Sequence, residues 1–292
     1  MQHKKDKNLY LAIFCMIFGF LLLMYPTVSN FVNSRHSSRV ITEHTETLKN
    51  LDDETFEIEK ERVVAHNELL AAQGFLAAGA DLEQRDDLQT YNDLLNLSNN
   101  HVMGSISIPK IRVELPIYHT TDESVLQVAV GHYVGTSLPM GGTSTHVVLS
   151  GHRGLPSAEL FTELDKLELG DYFYLEVLDE KLAYKVDQIE TIDPEEYGHK
   201  LDIVDGKDYV TLLTCTPYGV NTDRLLVRGH RVPYEEKVEK KEVDKGKTVV
   251  RLAILHRFLI LFLSIVVALY FALRLGVLLA DKKIHLPVGK NK

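Results

Sequence analysis

Two long apolar stretches lie near the two ends of the chain. The first, residues 9–25, reads LYLAIFCMIFGFLLLMY, and the second, residues 252–280, has a charge-free centre at residues 258–273. Each is close to the roughly 17–25 residues that a helix needs to cross a bilayer. The pattern therefore predicts two transmembrane helices, the first of them a signal anchor. The alternative for the first stretch is a cleaved signal peptide.

Apolar residues recur at helical spacing between the first stretch and residue 100. The background there is polar and charged, and no proline occurs between residues 29 and 97. Such spacing predicts an amphipathic helical pair. This pair could be no more than a stalk that lifts the next domain off the membrane. The apolar positions are Val40, Leu48, Leu51, Ile58, Val63, Leu69 and Leu70.

Short apolar runs punctuated by Gly and Pro replace this pattern from residue 105 to residue 234. Many short strands at close spacing favour a β-barrel or a β-sandwich. Two short helices are expected between the strands, near residues 122–130 and 157–167. The candidate strands, in chain order, are SISI, VELPIY, GHYV, THVVLS, DYFYLEV, LAYKVDQIETI, YVTLLT and LLVRGHRV.

Charges beside the apolar stretches predict their orientation. Lys4, Lys5 and Lys7 precede the first stretch and DKKIHLPVGKNK follows the second, so the positive-inside rule places both termini in the cytoplasm. A two-pass protein of the cell membrane is expected, with the region between the helices outside the cell. Its predicted segments are a cytoplasmic N-terminus at 1–8, a transmembrane helix at 9–25, a helical extension at 26–100, a β domain at 101–234, a charged linker at 235–251, a transmembrane helix at 252–280 and a cytoplasmic tail at 281–292.

Net charge and cysteine content reduce the number of functions to consider. The formal charge of -9 argues against a nucleic-acid partner, whose binding needs a basic surface. The chain has 2 cysteines, Cys15 in the first apolar stretch and Cys215 in the external region, so they are not expected to pair. Cys215 is therefore either a buried, inert residue or a reactive thiol.

The surroundings of Cys215 suit catalysis. It ends the run YVTLLT, the turn formers of TPYGVNTD follow, and Arg224 opens the next strand. If those strands pair antiparallel, the guanidinium of Arg224 lies beside the thiol. A nearby cation favours the thiolate, and a planar fork of donors can bind a carbonyl oxygen as it becomes negative.

A nucleophilic cysteine also needs a proton donor for the departing amine, and histidine is the usual one. Of the 13 histidines, His152 is the best placed, because it follows the strand THVVLS and glycines flank it. His132 and His230 could equally be structural. A zinc site formed by His132, His146 and His152 lacks a recognised spacing, so no metal or other cofactor is expected.

Three segments resemble one known family. TLLTCTPYGVNTDRLLVRGHR resembles the sortase signature, and THVVLSGHRGLPSAELFTELDKLELGD is similar to the segment that carries the family's histidine. IPKIRVELPIYHTTDESVLQVAVGHYVGTSLPMGG is typical of class C, or pilin-polymerising, sortases of Gram-positive bacteria. The resemblance covers about residues 29–234, and two membrane helices also fit class C.

The resemblance implies a mainly β fold, an eight-stranded sortase-type β-barrel with short helices and the site in a groove at strand ends. It implies Cys215 as nucleophile, His152 as general acid and base, and Arg224 as the ligand of substrate and oxyanion. Class C sortases usually carry a lid with an Asp-Pro-aromatic motif before the barrel. Residues 73–96 contain no proline, so a lid would be built differently, from a helix around residues 86–95 or from Phe75, or the groove is open.

The expected activity is transpeptidation. The enzyme would cleave a Leu-Pro-x-Thr-Gly-like sorting signal between Thr and Gly through a thioacyl intermediate, and join it to a lysine amine of another pilin subunit. The implied partners are pilin subunits and the cell membrane. Three alternatives stay open: anchoring of surface proteins to the cell wall, simple hydrolysis by a cysteine hydrolase, and a non-catalytic, membrane-tethered scaffold for pilus assembly.

Overall fold

The computed structural model describes residues 2–73 and 87–246. The predicted second membrane span and Phe75 lie outside these ranges. Within them, no helix has the length and apolarity required to cross a bilayer. The chain divides into two compact units, Met1–Val243 and Asp244–Lys292, and the account below concerns the first.

Two helices form most of the described N-terminal region. Helix α1 spans Gln2–Lys49 and helix α2 spans Asp53–Gln73. A tight turn joins them, where the Oδ1 of Asp52 accepts a hydrogen bond of 2.8 Å from the backbone N–H of Thr55. This is an N-cap of the type that starts helices, and the predicted helical pair is confirmed.

The helical pair packs against the β domain. Val63 and Leu48 are buried in the same apolar core as the strands. The Asn67 side chain accepts from the backbone N–H of Leu138 at 2.8 Å and donates to its carbonyl oxygen at 3.2 Å. The pair is therefore part of the folded domain and does more than a stalk would.

Eight strands form a closed barrel in the order β1-β2-β3-β4-β7-β8-β6-β5. The β2–β3 and β4–β7 pairs are parallel and the other six are antiparallel. Each of the eight candidate runs overlaps one strand, and the predicted eight-stranded barrel is confirmed. The strands are β1 Val102–Ile108, β2 Val113–Tyr118, β3 Val130–His132, β4 Thr145–Ser150, β5 Tyr172–Val177, β6 Glu180–Ile192, β7 Asp208–Thr216 and β8 Asp223–Val232.

The interior of the barrel and its outer face beside β4, β7 and β8 are both apolar. Alternate residues of β7, such as Val210 and Leu212, join the main core. Leu213 points the other way, because successive side chains of a strand face opposite sides, and it belongs to a second cluster. This second cluster, here called the outer apolar patch, consists of Val148, Ile192, Leu201, Leu213 and Leu226, with Tyr133 and Tyr197 packed against it.

The short helices agree with the sequence only in part. Helix α3, Asp87–Asp93, lies where a helix around residues 86–95 was considered, and α4, Glu123–Leu126, confirms the helix predicted near residues 122–130. The helix predicted at 157–167 is wrong, because this segment forms turns and one 3₁₀ turn, Leu164–Lys166.

The reason lies in how this segment crosses the end of the barrel. Leu160 has a left-handed φ of 39°, which interrupts a right-handed helix. The backbone N–H of Phe161 bonds back to the carbonyl of His152 at 3.1 Å. Leu160, Phe161 and Leu164 are all buried in the core, although their spacing would also suit one stripe of a helix.

Candidate active site

Cys215 and Arg224 face each other across neighbouring strands. The strands β7 and β8 pair antiparallel, and the register sets Cys215 directly opposite Arg224. Directly opposed residues of an antiparallel pair have side chains on the same face, with Cβ atoms about 4.5–5.5 Å apart. The juxtaposition that the sequence predicted is therefore present.

The thiol lies on the outer face of the barrel, at the end of a buried strand. Cys215 is two residues beyond Leu213 of the outer apolar patch, so both side chains point outward. The thiol is free and half-buried. A side chain in this position can meet a substrate that lies along the outer face.

The turn between β7 and β8 holds the guanidinium of Arg224 at the same end. Its Nη1 donates to the carbonyl oxygens of Asp223 at 3.1 Å and Asn221 at 3.4 Å. Asn221 has a positive φ of 62°, a conformation that Asn tolerates better than most residues. The turn former noted in the sequence thus supplies one acceptor for Arg224.

The parallel pairing of β4 and β7 brings His152 to Cys215. Ser150 pairs with Leu213, and the backbone N–H of Gly151 still donates to the Leu213 carbonyl at 3.1 Å. His152 is two residues beyond Ser150, as Cys215 is two residues beyond Leu213. The matching register brings His152 to the end of the barrel where Cys215 and Arg224 lie.

The glycine before His152 has a packing role. A Cβ atom at Gly151 would lie 2.8 Å from the ring of Phe161, closer than real Cβ contacts permit. The carbonyl of Gly151 also accepts a hydrogen bond of 2.7 Å from the hydroxyl of Thr214. The glycine therefore permits a close approach to Phe161, and its hydrogen bond with Thr214 fixes the segment carrying His152 to the segment carrying Cys215.

Arg153 adds a second link between these segments. Its buried guanidinium donates to the hydroxyl of Thr216 at 3.0 Å and pairs with Asp165. It also lies over the ring of Tyr218, with Cζ 6.0 Å from the centroid. Arg153 therefore has a structural role, since it connects the residue after His152 to the residue after Cys215.

Glu123 is a neighbour of His152 that the sequence did not single out. Its Oε2 lies 3.3 Å from the Nε2 of His152. The two residues are 29 positions apart, and Glu123 belongs to α4 in the connection between β2 and β3. No local pattern links them, because the contact depends on how the barrel folds.

The outer apolar patch extends from this site and carries two tyrosines. The rings of Tyr133 and Tyr197 have centroids 6.3 Å apart. Burial raises the pKa of Tyr133 and Tyr197 adds to the rise, whereas the charge of Arg224 opposes it. The charge of Arg224 therefore reaches the edge of the outer apolar patch.

The histidines considered as zinc ligands have other partners. His132 donates from Nε2 to the Ser137 carbonyl at 2.9 Å, and its Nδ1 lies 2.8 Å from the hydroxyl of Tyr91. Burial lowers the pKa of His132 to about 3. His146 is bonded to Thr211 and to the Asp202 carbonyl. Both are neutral, structural histidines.

Arg228, the other arginine on the same face of β8, also has a structural role. It makes a bidentate pair with Asp187, with N···O distances of 3.0 and 3.2 Å. Its guanidinium stacks on Tyr209, 4.2 Å from the ring centroid. His230 lies 3.6 Å from the same carboxylate. Arg228 is therefore held in a salt bridge with Asp187.

Comparison with known proteins matches this geometry to one family. The sortase domain matches residues 106–232. The crystal structure of sortase C1 from Streptococcus agalactiae is 47% identical, with a TM-score of 0.64, over 68% of this chain and 100% of that one. A Streptococcus pneumoniae sortase C, studied for catalysis and pilin substrate specificity, is 41% identical over 67% of this chain and 97% of that one, with a TM-score of 0.58. Sortase A of Bacillus anthracis is 26% identical over 76% of this chain and 92% of its own length.

Proposed function

The chain belongs to the sortase family of cysteine transpeptidases, with class C members among its structural relatives, and on this premise we propose that it polymerises pilin subunits. The donor is a Leu-Pro-x-Thr-Gly-like sorting signal and the acceptor is a lysine amine of another pilin subunit. The observation that carries the proposal is the strand register, which pairs Arg224 with Cys215 and aligns the end of β4, two residues before His152, with Leu213, two residues before Cys215.

The first half of the reaction forms a thioacyl enzyme. The Cys215 thiolate attacks the carbonyl carbon of the Thr residue, and a C–S bond forms as the Thr–Gly C–N bond breaks. His152 gives its proton to the departing glycine amine. Arg224, opposite the thiol, donates hydrogen bonds to the carbonyl oxygen while that oxygen carries negative charge.

The second half transfers the acyl group to the acceptor. The lysine amine attacks the thioester carbon, an isopeptide C–N bond forms and the C–S bond breaks. His152, neutral after the first half, takes the proton that the amine loses, and the Cys215 thiolate is regenerated. The balance of protons is thus closed within the site, and no cofactor takes part.

The sorting signal of the donor is proposed to bind along the edge of the outer apolar patch. This patch continues from Leu213 beside Cys215 towards Leu201 in the connection between β6 and β7. Its five aliphatic residues are themselves buried, so the Leu and Pro of a sorting signal would pack on the half-buried tyrosines at its edge, Tyr133 and Tyr197, at about 25 cal/mol for each Å² of apolar surface. In this proposal the Thr–Gly bond lies at the end of the patch where Cys215 is found.

The proposed location is the outer side of the cell membrane. Support comes from the apolar stretches at residues 9–25 and 252–280 and from the basic residues at both termini. An enzyme held there would meet pilin subunits as they leave the membrane. Tethering raises the effective concentration of the enzyme near such substrates.

A direct test uses the purified full chain and a recombinant pilin that carries the sorting signal and its acceptor lysine. We expect a ladder of covalent multimers on a denaturing gel with the native chain, and none with Cys215→Ala. A native chain that leaves the pilin uncleaved would contradict transpeptidation.

Two further outcomes separate the alternatives. Cleavage to a product ending in free threonine, with ample lysine acceptor present, would favour a hydrolase. A single adduct formed only with a peptidoglycan-type amine would favour cell-wall anchoring.

A further inference from the structure

His152 has a charged partner that the proposed mechanism does not use. The Nε2 of His152 and the Oε2 of Glu123 are 3.3 Å apart. The His152 side chain is 27% exposed and that of Glu123 is 68% exposed. The pair lies at the rim of the site, where a carboxylate can act on the imidazole while the other ring nitrogen remains available.

Glu123 is itself held in place by a second side chain. Its Oε1 accepts a hydrogen bond of 2.8 Å from the Nε2 of Gln127, one helical turn further on. The two carboxylate oxygens thus have separate partners. The hydrogen bond from Gln127, followed by the contacts with His152, lowers the pKa of Glu123, so this carboxylate is charged at neutral pH.

The segment that carries Glu123 is fixed at both ends. The carbonyl of Asp122 accepts from the backbone N–H groups of Val125 and Leu126 at 2.9 and 3.0 Å. At the other end, the side chain of Asn33 in α1 donates to the Val128 carbonyl at 3.2 Å. Ala129, which follows, is fully buried. Glu123 therefore stands on a supported segment, as a residue that orients a catalytic group should.

Two other charged groups beside His152 are already engaged. Arg153, its chain neighbour, is bonded to Thr216 and Asp165. Arg224 donates to carbonyls of its own turn. Glu123 is the group whose side chain contacts the imidazole ring itself.

We propose that Glu123 is the positioning residue of His152: it binds the Nε2–H, orients the ring and leaves Nδ1 to exchange protons with the thiol and the amines. A nitrogen that faces a carboxylate carries the proton, so only the other nitrogen can accept one. The negative charge also stabilises the imidazolium that forms whenever His152 takes up a proton. The inference rests on the proposed function, because it assigns an atom of His152 within that reaction.

The expected effect is moderate. A buried carboxylate that orients a catalytic histidine can be worth about 10⁴-fold in kcat. Glu123 is exposed, its contact is long, and solvent weakens such a pair. We expect a loss of about tenfold in kcat when the carboxylate is removed.

The experiment measures release of the glycine-bearing peptide by the full chain from a sorting-signal peptide. Glu123→Ala is expected to lower kcat about tenfold with little change in KM, and Glu123→Asp to lose less than Glu123→Ala. Gln127→Ala, which frees Glu123 without removing it, is expected to lie between Glu123→Ala and the native chain. Asp122→Asn is the matched control, because it removes a charge one residue away without touching His152, and it should keep native kcat.

A spectroscopic readout separates positioning from a merely structural role. In ¹H–¹⁵N spectra of histidine rings, with the His152 signals assigned by their loss in His152→Ala, the native chain is expected to show a protonated Nε2. Glu123→Ala should redistribute the proton between the two nitrogens while the unfolding temperature stays within about 2 °C, because an exposed pair adds little stability.

The outcomes of the two proposals are distinguishable. Native kcat and an unchanged His152 spectrum in Glu123→Ala, with the native chain active, would overturn the positioning role and leave the proposed function standing. A native chain that releases no peptide would instead defeat the proposed function itself.

Discussion

At the scale of single residues, two arginines on one face of β8 have opposite roles. Arg224 lies opposite Cys215 and, within residues 2–73 and 87–246, its hydrogen bonds go to carbonyls of its own turn. Arg228, four residues further along the same strand, is paired with Asp187 and stacked on Tyr209. The first can turn its donors to a substrate oxygen, whereas the second is committed to the fold.

This difference predicts distinct consequences of substitution. Arg224→Ala should lower kcat for thioacyl formation about 100-fold, because an oxyanion donor is lost. Arg224→Lys should recover little of it, because an ammonium lacks the planar fork. Stopped-flow or quenched release of the glycine peptide measures the rate, and thermal unfolding reports stability.

Arg228→Ala is the matched control on the same strand face. It should lower the unfolding temperature and, well below that temperature, keep native kcat. The reverse result, with Arg228→Ala inactive and Arg224→Ala active, would contradict the assignment of Arg224.

The sequence could predict Cys215, His152 and Arg224 because each lies at a strand end next to a turn, where local residue types define the chain path. Glu123 could not be found in this way, since its contact joins α4 to the end of β4. The wrong helix prediction at residues 157–167 has the same cause, a contact between distant parts of the chain. Their apolar spacing is compatible with a helix, but the end of the barrel buries Leu160 and Phe161 in a turn.

At the scale of elements, Asn67 of α2 bonds to the barrel in the way that a strand partner would. Asn67 accepts from and donates to the backbone of Leu138, in the connection between β3 and β4. Glu59, further up the same helix, accepts from the backbone N–H of Leu95. Both side chains are buried. Helix α2 therefore supplies hydrogen-bond partners to backbone groups that water cannot reach, both in the barrel and in the segment before β1.

Loss of the two hydrogen bonds between Asn67 and Leu138 should therefore destabilise the whole domain. Asn67→Ala leaves the N–H and C=O of Leu138 without their partner, at about 1–3 kcal/mol for each buried group. We expect a free energy of unfolding lower by about 2–4 kcal/mol in urea titrations. Glu68→Ala, at an exposed neighbouring position, is the control and should change it by less than about 0.5 kcal/mol. Equal stability of the two variants would show that α2 does not support the barrel.

The strands could be predicted from the sequence, whereas the docking of α2 could not. Alternation of apolar residues and the Gly and Pro between them are local signals, and they overlapped all eight strands of the barrel. The partner of Asn67 is 71 residues away, and no spacing in the sequence indicates such a pair. Local patterns gave the elements, whereas the contacts between elements required the structure.

At the scale of the whole molecule, buried neutral histidines link stability to pH. Burial is the main cause that lowers the pKa of His132 to about 3 and that of His44 to about 4, and it also lowers the pKa of His146. In the unfolded chain these groups bind protons near pH 6.5. The unfolded state therefore binds more protons than the folded state below that pH, and the folded state loses stability as the pH falls.

The expected result is a free energy of unfolding that is constant above about pH 7 and falls between pH 6.5 and 5.5. Each such histidine contributes a slope of up to about 1.4 kcal/mol per pH unit. His132→Gln should reduce the slope, because it removes one of these buried histidines. Urea titrations at a series of pH values measure it, and a stability that rises on acidification through this range would contradict the assignment of neutral buried histidines.

The central claim, that Cys215 carries the acyl group of a sorting signal, is tested most directly by intact-mass measurement of the full chain after brief incubation with a sorting-signal peptide and acid quench. The account predicts a mass increase equal to the peptide up to its threonine, located on Cys215, released by an added lysine amine and absent in Cys215→Ala. An adduct on another residue, or turnover of the peptide by Cys215→Ala, would contradict it.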